Sequence, residues 1–104
     1  TMADFVRVAS VGDVPQGEML IVQLNGDDVV LANVDGEIYA FGGECTHRAG
    51  PLGDGVLEGI EVECPLHQGR FNVKTGEVVD EPPDSPIPTY QVLVEGDDIK
   101  IATA

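Results

Sequence analysis

A chain of 104 residues makes one domain around one hydrophobic core, and 42% apolar content rich in β-branched Val and Ile, with 13 glycines and seven prolines, is the composition of a many-turned β protein. Nineteen acidic residues against five basic ones give a net charge of −14. Such a surface repels nucleic acid and anionic membranes and steers instead toward a basic protein partner.

Phe5–Val8 reads as a first short strand, and residues 9–14 have room for a helical turn. Three strands follow, Glu18–Leu24 (EMLIVQL), Asp28–Val34 (DVVLANV) and Glu37–Phe41 (EIYAF). Between them stand Asn25-Gly26 and Asp35-Gly36, pairs that accept the positive φ of a type I′ turn, so the three strands form an up-and-down meander. Further on, Gly55–Leu57 and Ile60–Glu63 flank Glu58-Gly59 as a small hairpin, and Arg70–Val73 and Glu77–Val79 flank Thr75-Gly76 as another. The segment DEPPDSPIP, residues 80–88, holds four prolines and excludes an interior strand. Thr89–Val94 and Asp98–Ala102 close the chain as a hairpin around Glu95-Gly96-Asp97. No apolar run reaches the ~20 residues of a membrane span and no basic-then-apolar leader is visible, so a soluble, cytoplasmic protein is expected.

The expected organisation is a single all-β domain over residues 1–104. Strands from residues 1–42 and 80–104 pair into one basal sheeted body, and residues 43–79 are inserted into it as a subdomain carrying two loops. All the cysteine and histidine of the chain lies on those loops: Cys45 and His47 in CTHRAG, Cys64 and His67 in CPLHQG. Two cysteines are too few for a disulfide scaffold of a small secreted domain. Unrelated placement is hard to reconcile with two Cys-before-His pairs so close together. A structural Cys₂His₂ zinc site, in a binding or regulatory module, is one reading of the set. Zinc fingers, however, usually separate a cysteine pair from a histidine pair, whereas each loop here contributes one of each. A [2Fe–2S] cluster with two thiolates on one iron and two imidazoles on the other explains that mixing, because each loop then reaches both irons. Glycines at Gly42, Gly43, Gly50, Gly53 and Gly69 would let backbone N–H groups approach the sulfurs.

CTHRAGPL and CPLHQGRFN resemble the two boxes, C-x-H and C-x-x-H, of the Rieske family, and the strand pattern on either side resembles the Rieske fold over nearly the whole chain. The resemblance implies an antiparallel β-sandwich with an inserted cluster-binding subdomain and one Rieske-type [2Fe–2S] cluster. Cys45 and Cys64 would bind the inner iron, and His47 and His67 the exposed one. Rieske proteins of quinol-oxidising complexes carry an extra cysteine in each box, and this chain has none to spare, so a potential near the low end of the ~ −150 to +300 mV range is expected. Terminal oxygenases need a 2-His-1-carboxylate iron site in a further domain, for which no third histidine exists. The chain is therefore most similar to a free-standing Rieske ferredoxin, an electron carrier and not an enzyme. Its implied partners are a flavin-dependent ferredoxin reductase and a terminal aromatic ring-hydroxylating dioxygenase, with no organic substrate bound directly. Service to a different oxygenase or reductase is the alternative within the same family.

Overall fold

The computed structural model describes residues 5–24, 26–43, 52–65, 69–80 and 86–102. Among the described residues eleven strands run in chain order: β1 Phe5–Ser10, β2 Met19–Leu24, β3 Asp27–Val34, β4 Glu37–Gly42, β5 Val56–Glu58, β6 Glu61–Glu63, β7 Arg70–Asn72, β8 Val78–Asp80, β9 Thr89–Tyr90, β10 Val92–Glu95 and β11 Asp98–Ala102. Short 3₁₀ turns occupy Val11–Asp13 and Leu52–Asp54. Among the described residues no helix is long and apolar enough to cross a membrane. Every strand pair is antiparallel, and the strands form three sheets, β1-β11-β10, β2-β3-β4-β9 and β5-β6-β7-β8.

The expected meander is β2-β3-β4. Its second turn joins Val34 to its partner Glu37 through Asp35 and Gly36, at φ 53° and 88°. Both central residues are left-handed, as a type I′ turn requires. The β7–β8 connection needs Gly76 for a second reason. Its φ is 81°, and a Cβ there would run into the Ile87 backbone carbonyl.

Sheet β2-β3-β4-β9 is the shared wall of two apolar cores, and the period of the strand explains how. Val29 to Val34 of β3 are all buried, but alternate residues face opposite ways. Val30, Ala32 and Val34 join Phe41, Leu52, Val62, Cys64, Phe71, Val73 and Ile87 in one cluster, toward β5–β8. Val29 and Leu31 join Ala9, Val14, Leu24, Ala40, Ile99 and Ile101 in the other, toward β1, β10 and β11. Asn33 is the buried polar residue of this wall. Its Nδ2 donates to the Val14 carbonyl at 2.8 Å and its Oδ1 accepts from Gly36 N–H at 2.9 Å, so burial leaves neither amide atom unsatisfied.

The strands expected in the basal body form two sheets, as a sandwich requires, because β1 pairs with β11 and does not join the meander. The expected strand Thr89–Val94 is corrected: it is two strands that change sheets, β9 pairing with β4 and β10 with β11. Gln91 stands between them, its carbonyl accepting from Ala102 N–H at 3.1 Å. Alternation of apolar residues runs unbroken through such a crossing, which is why the pattern alone did not show it.

Candidate metal centre

The first Cys/His loop leaves the end of β4. Gly42 donates its N–H to the Pro88 carbonyl and Gly43 donates to the Asp28 carbonyl, each at 2.8 Å. A Cβ on Gly43 would lie 2.8 Å from Asp28 Cβ and 2.9 Å from its oxygen, so the strand end fits against its neighbours only without side chains. These two glycines therefore use their N–H groups on backbone carbonyls, and the expectation that they point at sulfurs is corrected; close backbone approach is what they provide. Gly53 likewise packs against the Ile21 side chain. The Gly43 carbonyl accepts from Leu52 N–H at 2.9 Å, closing the neck of a loop that spans residues 44–51. Cys45, His47 and Gly50 belong to that loop and lie outside the described residues.

The second loop leaves the end of β6. Cys64 is buried, with 1% of its surface exposed, and its N–H donates to the Gly69 carbonyl at 2.7 Å, which closes the neck of residues 65–68. His67 lies on that loop, outside the described residues. The two necks adjoin. Gly55 N–H donates to the Leu52 carbonyl at 3.0 Å, and Gly55 has no room for a Cβ against the backbone carbonyl of Glu63, the residue before Cys64. Leu52 from the first neck and Cys64 from the second belong to the same apolar cluster, with Val62, Phe71 and Phe41. The arrangement brings the roots of both loops together above a dry core. A buried cysteine in this place suits a thiolate ligand screened from water, so the donor set fits an iron–sulfur cluster.

Beside the second neck is a charged group that the sequence reading passed over. Arg70 Nη2 donates to Glu58 Oε1 at 2.8 Å and to Glu63 Oε1 at 3.0 Å, and Nη1 stands 3.5 Å from Glu61 Oε1. The hydrogen bond to Glu58, opposed by partial desolvation and aided by the nearby carboxylate charges, raises the guanidinium pKa further above its already high ordinary value. The signal for this group was present in the hairpin register. A two-residue Gly59-Ile60 turn sets Glu58 opposite Glu61, and the closed Cys64–Gly69 neck sets Glu63 opposite Arg70.

Three antiparallel sheets around two apolar cores, with the roots of two Cys/His stretches adjoining over a buried cysteine, define a small all-β protein with a candidate metal centre. Residues 4–91 match the Rieske [2Fe–2S] domain family. The chain is 46% identical over 92 residues, 88% of each chain, to the ferredoxin component of the naphthalene 1,2-dioxygenase/salicylate 5-hydroxylase systems of a Ralstonia species. Its structure is similar to the ferredoxin of carbazole 1,9a-dioxygenase from Nocardioides aromaticivorans, with a TM-score of 0.93 and 34% identity over 98% of this chain and 100% of that one. It is also similar to a chain in the complex of reduced oxygenase and oxidized ferredoxin of carbazole 1,9a-dioxygenase (TM-score 0.90, 30% identity, 95% of this chain and 93% of that one). The chain belongs to the Rieske [2Fe–2S] family, its cofactor is one Rieske-type [2Fe–2S] cluster, and it is an electron-transfer protein and not a catalyst. The zinc reading is set aside on the same findings.

Proposed function

We propose that this protein is the ferredoxin of a multicomponent aromatic ring-hydroxylating dioxygenase, working in the cytoplasm, and that Cys45, His47, Cys64 and His67 hold its cluster. When bound, the cluster accepts and releases one electron at a time. The observation that supports the ligand assignment is the meeting of the two closed necks, with Cys64 at the root of the second already buried. Val62, Leu52 and Phe71 keep water from the Cys64 side. In sequence, each histidine follows its cysteine by two or three residues. The partner assignment is supported by relatives named as ferredoxin components and by the solved oxygenase–ferredoxin complex, and a flavin-dependent reductase is the matching electron source. Residues 43–79 act as the cluster-binding subdomain on a basal body of residues 1–42 and 80–104; that the sheet β5–β8 is built from this stretch, passing its end by one residue at Asp80, supports the division.

The test is spectroscopy of anaerobically purified protein and of four variants, Cys45→Ser, His47→Ala, Cys64→Ser and His67→Ala. The parent should bleach with dithionite and give the low-average-g EPR signal of a His-ligated [2Fe–2S] centre, and each variant should lose it. A variant that keeps the parent's spectrum removes that residue from the ligand set.

A further inference from the structure

We infer that Arg70 is a positioning residue for the second ligand loop, fixing its neck and offsetting negative charge that would oppose reduction. This rests on the assignment of Cys64 and His67 as ligands. The group it acts through is set by register. On one face of the sheet β5-β6-β7, Glu58 stands opposite Glu61, and Glu63, two residues on from Glu61, stands opposite Arg70. Like charges facing each other across a strand pair are destabilising. Three carboxylates on neighbouring strands would spread this short sheet from the Gly59-Ile60 turn to the loop end, and one guanidinium answers all three, at 2.8, 3.0 and 3.5 Å. Arginine is the side chain for this task, because its planar fork offers several donors at once where an ammonium is a point charge. Arg70 is also partly withdrawn from solvent, its side chain 27% exposed, while Glu58, at 59%, is the outermost partner.

The position in sequence turns a local ion cluster into a device for the site. Glu63 and Arg70 form the rung of the β6–β7 ladder that immediately precedes the Cys64–Gly69 closing bond. Loosening that rung loosens the bond, and with it the seat of Cys64 at the root of the loop. Replacing Arg70 by a neutral side chain removes one positive charge from beside the Glu58, Glu61 and Glu63 carboxylates and leaves the group more negative by one. Reduction adds an electron to the neighbouring centre, so the extra negative charge disfavours it and lowers the potential.

The experiment compares the loaded protein with Arg70→Gln, Arg70→Lys and Glu58→Gln/Glu61→Gln by redox titration and by hydrogen exchange of the peptide covering residues 61–72. Arg70→Gln should lower the reduced-to-oxidised ratio at fixed applied potential by up to about tenfold, 59 mV for one electron, and should speed exchange in that peptide. Arg70→Lys should restore part of the potential but not the protection, since the charge returns without the fork. The double glutamine variant folds independently of that substitution and should raise the potential while the Glu63–Arg70 rung keeps its protection. An Arg70→Gln protein with the parent's potential and exchange overturns the inference, as does a double variant whose potential is unchanged or lower. If His67→Ala retains the parent's cluster spectrum, the ligand assignment itself has failed, which is a different result.

Discussion

Leu52 is the side chain that ties the first loop's neck to the core beneath Cys64, and its truncation gives a quantitative check on that picture. It is fully buried, in the same cluster as Val62, Cys64 and Phe71. Leu52→Ala removes three carbons from that cluster, a transfer loss of ~2.4 kcal/mol at ~0.8 kcal/mol per buried CH₂. A cavity contribution adds to this in proportion to how little the site collapses. Collapse is restricted here, because the Leu52 N–H is bonded to Gly43 at 2.9 Å and its carbonyl to Gly55 at 3.0 Å, so the backbone is held on both sides. The total is about 4 kcal/mol, within the range known for such substitutions. At a urea slope of roughly 2 kcal/mol/M for a domain of this size, the unfolding midpoint should fall by about 2 M. Loaded protein is followed by circular dichroism and by cluster absorbance in the same titration. Val56→Ala, on the neighbouring strand but 52% exposed, is the control and should change stability by less than about 0.5 kcal/mol. A Leu52→Ala loss below about 1.5 kcal/mol would refute the claim that this neck is rigidly seated.

Gly55→Ala should cost about 1–3 kcal/mol by overpacking and speed cluster release, since a Cβ meets the Glu63 backbone carbonyl; Gly12→Ala, where a Cβ meets open space, should be neutral, and urea midpoints for the pair check this. Tyr39 donates to Glu37 Oε2 at 2.7 Å, and that bond, followed by desolvation and the nearby carboxylate charge, raises the phenol above its ordinary 10.0. A proton held more tightly in the folded state stabilises below the unfolded pKa, and the contribution is lost as pH rises through the folded one. Tyr39→Phe should therefore flatten part of the decline in thermal midpoint between about pH 9 and 12, and should remove a phenolate absorbance step that begins above the ordinary tyrosine range.

The meander was legible because Asp35-Gly36 names its own turn and the apolar alternation of β2 to β4 is strong. Phe41 and Phe71, on strands that alternate in this way, are both fully buried. The β5–β6 and β7–β8 hairpins were legible to within a residue at their ends, from Glu58-Gly59 and Thr75-Gly76. What escaped was partner choice at long range. Nothing in Phe5–Ser10 says that it pairs with Asp98–Ala102 and not with Met19–Leu24, and nothing in TYQVLVE marks Gln91 as the crossing between sheets. At the site, residue type and spacing exposed the Cys/His pairs, whereas Arg70 was hidden because a charge quartet depends on register and not on composition. Gly42 and Gly43 were read from their proximity to Cys45 when their real constraint is Asp28 and Pro88, distant in sequence.

The central strand β3 has a consequence for cooperativity. Because its successive side chains belong alternately to two cores, the wall under Cys64 is also the floor of the core that Ile99 and Ile101 of β11 complete. Loss of packing in either core removes support from the strand on which the other is built. A defect at the C-terminal strand, far along the chain from either Cys/His loop, is thereby felt as a weaker grip on iron. Retention of the cluster thus reports on the integrity of the whole chain.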